Sequence, residues 1–240
     1  MELIIISGPA RVGKTALANH IAENSFELGF KPVLLSFAGV LKEEAESRGY
    51  SKEDNPKEYR EFCQVHGALM RETDPDYWVK LFEEKLLKLY DEELKDLKEN
   101  KAFWERCVIV DDCRYENEVS LGRKHKGVLV FLSPGSRRLE EHNAEWRNHH
   151  SEALAKKVEG GDEESVDMFD YIILNEDSPK NLVSKAKLMT PIWCSLQSHV
   201  NSMSFDENNI KEDLEDTLKD LLDFFLVDYE EDDDEYFTPD

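Results

Sequence analysis

The stretch Glu2-Leu3-Ile4-Ile5-Ile6-Ser7-Gly8-Pro9-Ala10-Arg11-Val12-Gly13-Lys14-Thr15 decides the fold. Its first six residues are a short apolar run rich in isoleucine, which predicts a parallel strand buried on both faces. The next eight fit the pattern G-x-x-x-x-G-K-[ST] from Gly8 to Thr15. Ala16, Leu17, Ile21 and Ala22 then recur at helical spacing as far as Gly29, a natural stop. A strand, a glycine turn and a helix in direct succession converge backbone N–H groups at a helix amino end, where phosphate binds. Gly8, Arg11, Val12, Gly13, Lys14 and Thr15 are therefore expected to cradle a nucleotide, with Lys14 on the terminal phosphates and the Thr15 hydroxyl on magnesium. The expected ligand is ATP with Mg2+.

Working outward, Pro32 introduces a second strand at residues 33–37, and the apolar runs 108–110, 128–132 and 171–174 supply three more. Strands alternating with helical segments predict an α/β fold: a P-loop NTPase-like parallel sheet of five strands with helices on both faces. Residues 40–100 interrupt the alternation with three helical segments, 41–47, 56–71 and 76–100, and read as an insertion over the carboxyl edge of the sheet, where ligands of such folds bind. Ser178-Pro179 starts a last helix that is expected to run to Met189 and to end at Pro191. The expected organisation is a P-loop domain over residues 1–189, a linker with an amphipathic helix over 190–227, and an acidic disordered tail over 228–240. The helix is marked by Ile210, Leu214, Leu218, Leu221, Leu222 and Phe225, a stripe that packs on the body or pairs with a second copy in a homodimer.

Charge narrows the class of partner. Thirty Lys and Arg stand against 53 Asp and Glu in 240 residues, a net charge of -23, of which residues 206–240 carry -14. Such a surface repels a nucleic-acid backbone, so no polynucleotide partner is expected. No run approaches the roughly 18 to 20 apolar residues of a membrane span, and Met1 leads directly into the first strand without a cationic leader. Cys63, Cys107, Cys113 and Cys194 lack CxxC spacing and read as reduced thiols. The expected setting is the cytoplasm, or a host's cytoplasm if the chain is viral.

Cys107-Val108-Ile109-Val110-Asp111-Asp112 is a buried strand ending in two acids, the position from which phosphate-transferring folds hold magnesium or a nearby water. Either acid suits the metal or the second substrate; Asp111 is taken for the metal, beside Thr15. His149 and His150 invite a metal reading, but neighbouring histidines are expected to point apart and no third ligand has suitable spacing.

Several further blocks carry a resemblance. Phe37-Ala38-Gly39-Val40-Leu41-Lys42, Arg60-Glu61-Phe62-Cys63-Gln64-Val65-His66-Gly67, Tyr77-Trp78-Val79-Lys80-Leu81-Phe82, Asp112-Cys113-Arg114 with Glu118, and His150-Ser151-Glu152 follow the phosphate loop in an order that resembles the bacteriophage-type deoxynucleoside monophosphate kinases. The resemblance covers residues 1 to about 189; the acidic extension has no counterpart in it. It implies transfer of the γ-phosphate of ATP to a deoxynucleoside monophosphate. It also implies catalytic roles for Lys14, Asp112 and Arg114, and an acceptor site made by Leu41, Lys42, Arg60, Gln64, Arg71, Trp78, Asp112, Arg114 and Glu118. The chemistry suits the residues: guanidinium groups offer paired donors to a phosphate, and an indole face stacks on a base. Residues 135–152, with Arg137, Arg138 and Arg147, are expected to form a lid, with Arg137 and Arg138 reaching the nucleotide.

Two alternatives remain. The animal-type phosphomevalonate kinases resemble the chain at the loop, at Leu41-Lys42 and at Asp112 to Arg114, but their acceptor has no base, which would leave Trp78 and the Gln64 amide idle. A nucleotide-dependent regulatory module fits less well, because a guanine-reading Asn-Lys-x-Asp element is missing at Asn175-Glu176-Asp177.

Overall fold

In the computed structural model, which describes residues 1–99, 104–134, 149–175 and 179–202, the first strand is central to the sheet. Strands β1 (Glu2–Ser7), β2 (Lys31–Leu35), β3 (Arg106–Cys113), β4 (Val128–Pro134) and β5 (Tyr171–Asn175) pair in parallel in the order β2-β3-β1-β4-β5. The register sets Ile4 between Ile109 and Val128, and Ile5 between Val110 and Leu129. All six residues of β1 are buried, which is why the run shows no polar alternation.

Successive residues of β1 supply two separate cores. Leu3 and Ile5 face Val79, Phe82 and Leu86 of α4 (Tyr77–Lys98), Val119 and Leu121 of α5 (Glu116–Lys124), and Leu154, Ala155 and Val158 of α6 (Ala153–Glu159). Ile4 and Ile6 face Leu17, Ala18 and Ile21 of α1 (Lys14–Glu27) and Leu182, Ala186 and Trp193 of α8 (Pro179–Ser202). Burial of each such side chain contributes roughly 1.5–3 kcal/mol, so both faces hold the sheet. Helices α2 (Gly39–Ser47), α3 (Pro56–Thr73) and α4 form the expected insertion, and the short α7 (Glu163–Val166) leads into β5.

Three expectations are corrected. Strand β2 lies two residues earlier than 33–37, because the N–H groups of Phe37 and Ala38 donate to the Asp112 carboxylate instead of a neighbouring strand. The last helix does not end at Pro191 but continues through it to Ser202, so residues 190–202 are not a linker. A proline inside a helix costs about 3 kcal/mol, but Ile192 and Trp193 are buried beyond it and Tyr171 packs on the Trp193 ring at 5.8 Å; two such burials outweigh the loss. Third, His149 and His150 do not point apart: their rings lie 4.0 Å centroid to centroid. Ser151 draws in His149 Nδ1 at 2.8 Å, and the Tyr115 hydroxyl meets His150 Nδ1 at 2.9 Å. The stripe from Ile210 to Phe225, the acidic tail, and Arg137, Arg138 and Arg147 lie outside the described residues.

Candidate functional site

The glycine turn is built as the sequence requires. Gly8 has φ +136°, and a Cβ there would stand 2.3 Å from the Leu132 carbonyl oxygen; Gly13 has φ +104°, with Asn175 Nδ2 2.9 Å from the same hypothetical atom. Only glycine permits both the dihedral and the approach. Arg11 also adopts positive φ, at 63°, the strained conformation of a loop whose N–H groups turn inward. Val12 is buried beneath the loop, and its carbonyl accepts a 2.7 Å hydrogen bond from Asn175 at the end of β5.

Lys14 is buried and folds back over the turn, its ammonium donating to the Gly8 and Pro9 carbonyls at 2.7 Å each. Burial, then the nearby Arg114, lowers its pKa to about 8, while Glu152 and Asp111 oppose that shift. With a pKa of about 8 it remains charged at pH 7. The Thr15 hydroxyl donates to Asp111 Oδ2 at 2.5 Å, so the side chains expected at magnesium, one from α1 and one from β3, are already together. A hydroxyl beside a carboxylate at the end of a phosphate loop is the hard-oxygen donor set that suits Mg2+.

Asp112, one residue on, points elsewhere. Its carboxylate accepts from the Ser36 hydroxyl and from the N–H groups of Phe37 (2.9 Å) and Ala38 (3.2 Å), with Lys42 Nζ 3.4 Å away. It therefore fastens the start of the helical insertion to the sheet and holds Lys42 at the cleft wall. The two adjacent acids divide the work because successive residues at a strand end face opposite sides.

Between the insertion and the sheet edge lies a cleft of about 780 Å³. Leu41, Lys42, Arg60, Gln64, Arg71, Asp112, Arg114 and Glu118, all expected at the acceptor, line it, and so do Lys52, Lys57 and Tyr115. Six cations, Lys42, Lys52, Lys57, Arg60, Arg71 and Arg114, face two acids in a chain of net charge -23. Both acids are already engaged. Glu118 is buried; its Oε2 accepts from the N–H groups of Arg114 (2.7 Å) and Tyr115 (3.2 Å), and its Oε1 meets Arg71 at 3.5 Å. Burial pushes its pKa up to about 7 against the pull of those bonds. The Arg71 guanidinium also lies over the Tyr115 ring, 4.2 Å from its centroid, a cation–π contact that orients it.

Trp78 is the expected site residue that the structure removes from the cleft. It is 1% exposed, and its indole N–H donates to the Gly67 carbonyl at 3.1 Å, locking α3 to α4. Its apolar neighbours on α4, Val79 and Phe82, carry the helix face into the core, and the indole goes with them. Conversely, the sequence reading assigns no role to Glu152, Lys52, Lys57 or Tyr115. Glu152 is 3% exposed and joins Arg114 to the loop: one oxygen accepts from the Ala10 N–H at 3.0 Å and the other from the Arg114 guanidinium. The His150-Ser151-Glu152 block is visible in the sequence, but nothing local says what a glutamate 142 residues from Ala10 will touch.

The parallel sheet, the glycine turn between β1 and α1, and the paired Thr15 and Asp111 define an α/β protein of P-loop type. No protein-family model and no curated protein sequence matches the chain. Among solved structures, it is similar to a dephospho-CoA kinase from Campylobacter jejuni at 18% identity, covering 81% of this chain and 99% of that one with a TM-score of 0.37. It is also similar to a shikimate kinase from Aquifex aeolicus vf5 (18% identity, 84% and 99% covered, TM-score 0.34) and to a gluconokinase from Sinorhizobium meliloti 1021 (14%, 84% and 98%, TM-score 0.36). Among the described residues no helix is long and apolar enough to cross a membrane.

Proposed function

We propose that the protein is an ATP-dependent phosphotransferase whose acceptor is a phosphate monoester, a deoxynucleoside monophosphate. The observation that carries this reading is the cation-rich cleft opening beside the phosphate loop, with Arg114 bonded to both sides through Glu152 and Glu118. A neutral acceptor needs no such cluster, whereas a dianionic phosphate takes paired donors from Arg71, Arg114 and Arg60.

In this reading the loop N–H groups and Lys14 hold the donor phosphates, while Arg71 and Arg114 present the acceptor phosphate in line with them. Transfer of a phosphoryl group depends chiefly on positioning and on charge stabilisation, and no proton-abstracting triad is required. Thr15 and Asp111 are the residues that would hold Mg2+, whose chemistry is to neutralise charge on the transferring phosphoryl oxygens. Asp112 acts one step back, by fixing Lys42 and the insertion. The second reading, a mevalonate phosphate acceptor, gains from the burial of Trp78, since the aromatic face that favoured a nucleotide is in the core.

The test is direct. Purified protein with ATP and Mg2+ is offered each deoxynucleoside monophosphate and, separately, mevalonate 5-phosphate, with ADP release as the readout. Turnover on the nucleotides is expected; turnover on the mevalonate ester alone rejects the acceptor named here. Lys14→Ala is expected to lower turnover at least about a hundredfold, the scale for losing a preorganised charge at the reacting phosphate. An unchanged rate in that variant would remove Lys14 from the mechanism.

A further inference from the structure

We infer that Glu152 is a positioning residue that sets the acceptor-side Arg114 in register with the donor loop; the inference rests on the kinase reading above. A carboxylate facing a loop built for phosphates is electrostatically out of place, and burying it is costly unless every lone pair is used. Glu152 is buried, and both of its oxygens are in use. Oε2 takes the Ala10 N–H at 3.0 Å, which fixes the turn between Pro9, whose carbonyl holds Lys14, and the positive-φ Arg11. Oε1 takes the Arg114 guanidinium.

Arg114 then continues the chain of contacts. Its backbone N–H is held by Glu118, and Glu118 meets Arg71 on α3. Carboxylates and N–H donors thus alternate from the phosphate loop to the far wall of the cleft: Ala10, Glu152, Arg114, Glu118, Arg71. Lys14 lies within the field of Arg114, Glu152, Asp111 and Cys113, so the same carboxylate also offsets the repulsion between buried Lys14 and half-buried Arg114. Glu152 touches neither substrate in this arrangement. It acts through Arg114 and the loop, and it couples the two phosphate sites.

The test is a thermodynamic cycle on MgATP affinity, measured by calorimetry without acceptor, for the wild type, Glu152→Gln, Arg114→Lys and the double variant. Glu152→Gln keeps the shape and removes the charge; Arg114→Lys keeps the charge and removes the planar fork. Each single variant is expected to weaken MgATP binding by about tenfold, the scale of one charge-assisted hydrogen bond, and the double variant to lose little more than the worse single. A merely structural Glu152 lowers the melting temperature but leaves the MgATP affinity of the folded variant unmoved, and that result overturns the inference. Should Glu152→Gln fail to fold, Arg114→Lys decides alone, because Arg114 bonds to the loop through Glu152: unchanged MgATP affinity overturns the inference, and weakened affinity supports it. Turnover on no deoxynucleoside monophosphate rejects the acceptor while this cycle still reads out, and a wild type that does not bind MgATP overturns both.

Discussion

At its carboxyl end strand β1 runs into Gly8 and a cleft where cations outnumber acids, whereas at its amino end Glu2 sits buried with Glu93 and Glu105 close by. The buried acids near the cleft are both occupied by donors. Glu118 holds two N–H groups and Arg71, and Glu152 holds Ala10 and Arg114. At the other end, neither Glu2 carboxyl oxygen meets a donor in good geometry; burial first, then Glu105, pushes its pKa up to about 8. Buried carboxylates at one end of the strand organise other groups, while at the other end Glu2 is held protonated by burial and by the neighbouring carboxylate of Glu105, against the pull of the N-terminal ammonium. The charge of a buried acid says little until its partners are known.

The comparison breaks first at the glycine turn. Gly8→Ala forces a Cβ onto the Leu132 carbonyl at φ +136°, and a loss of about 3 kcal/mol or more in urea unfolding, together with loss of ATP binding, is expected. A variant with normal stability would mean that the turn relaxes freely. A second test sets Glu118 against Glu2. Glu118 has a pKa of about 7, so it is charged above that pH and protonated below it. The acceptor KM is therefore expected to rise as pH falls through about 7, when Arg71 loses its anchor, with the KM for ATP much less affected. A pH-independent acceptor KM across that range would count against the role.

For Glu2 the sign is reversed in stability terms. The folded chain keeps a proton that the unfolded chain releases between about 4.5 and 8, so the stability that Glu2 contributes at acid pH is lost as pH rises through that window. Glu2→Gln is expected to flatten this dependence and to raise stability at about pH 8 by at least about 1 kcal/mol, roughly 2–4 °C in melting temperature, with turnover unchanged. The smallest effect is expected from Trp78→Phe. It loses the hydrogen bond to Gly67 and some packing, costing about 1–2 kcal/mol in stability, and leaves the acceptor KM within about twofold. A tenfold rise in that KM would return Trp78 to the substrate.

What can be read in the sequence is whatever is local. The loop needs only consecutive residues from Gly8 to Thr15, and β1 needs only an unbroken apolar run, so both lie where they are expected. Asp111 and Asp112 are visible as a pair, but their division between the Thr15 hydroxyl and the loop after β2 depends on which way each faces at the end of β3. Trp78 carries an aromatic face suited to a base, yet its helix buries that face against Gly67 and His66 of α3. Pro191 is a helix breaker by propensity, and the burial of Ile192 and Trp193 overrides it. Glu152 depends on a contact across 142 residues, for which composition and spacing hold no signal.

The bond from Asn175 to the Val12 carbonyl spans 163 residues and ties the end of the last strand to the nucleotide loop. A ribosome that has delivered every residue of the glycine motif has therefore not yet delivered a finished loop. If the loop grips a nucleotide as proposed, that grip waits until β5 docks at the sheet's edge and α8 settles over α1, and a nascent chain cut short before residue 170 is expected to carry the signature without the affinity.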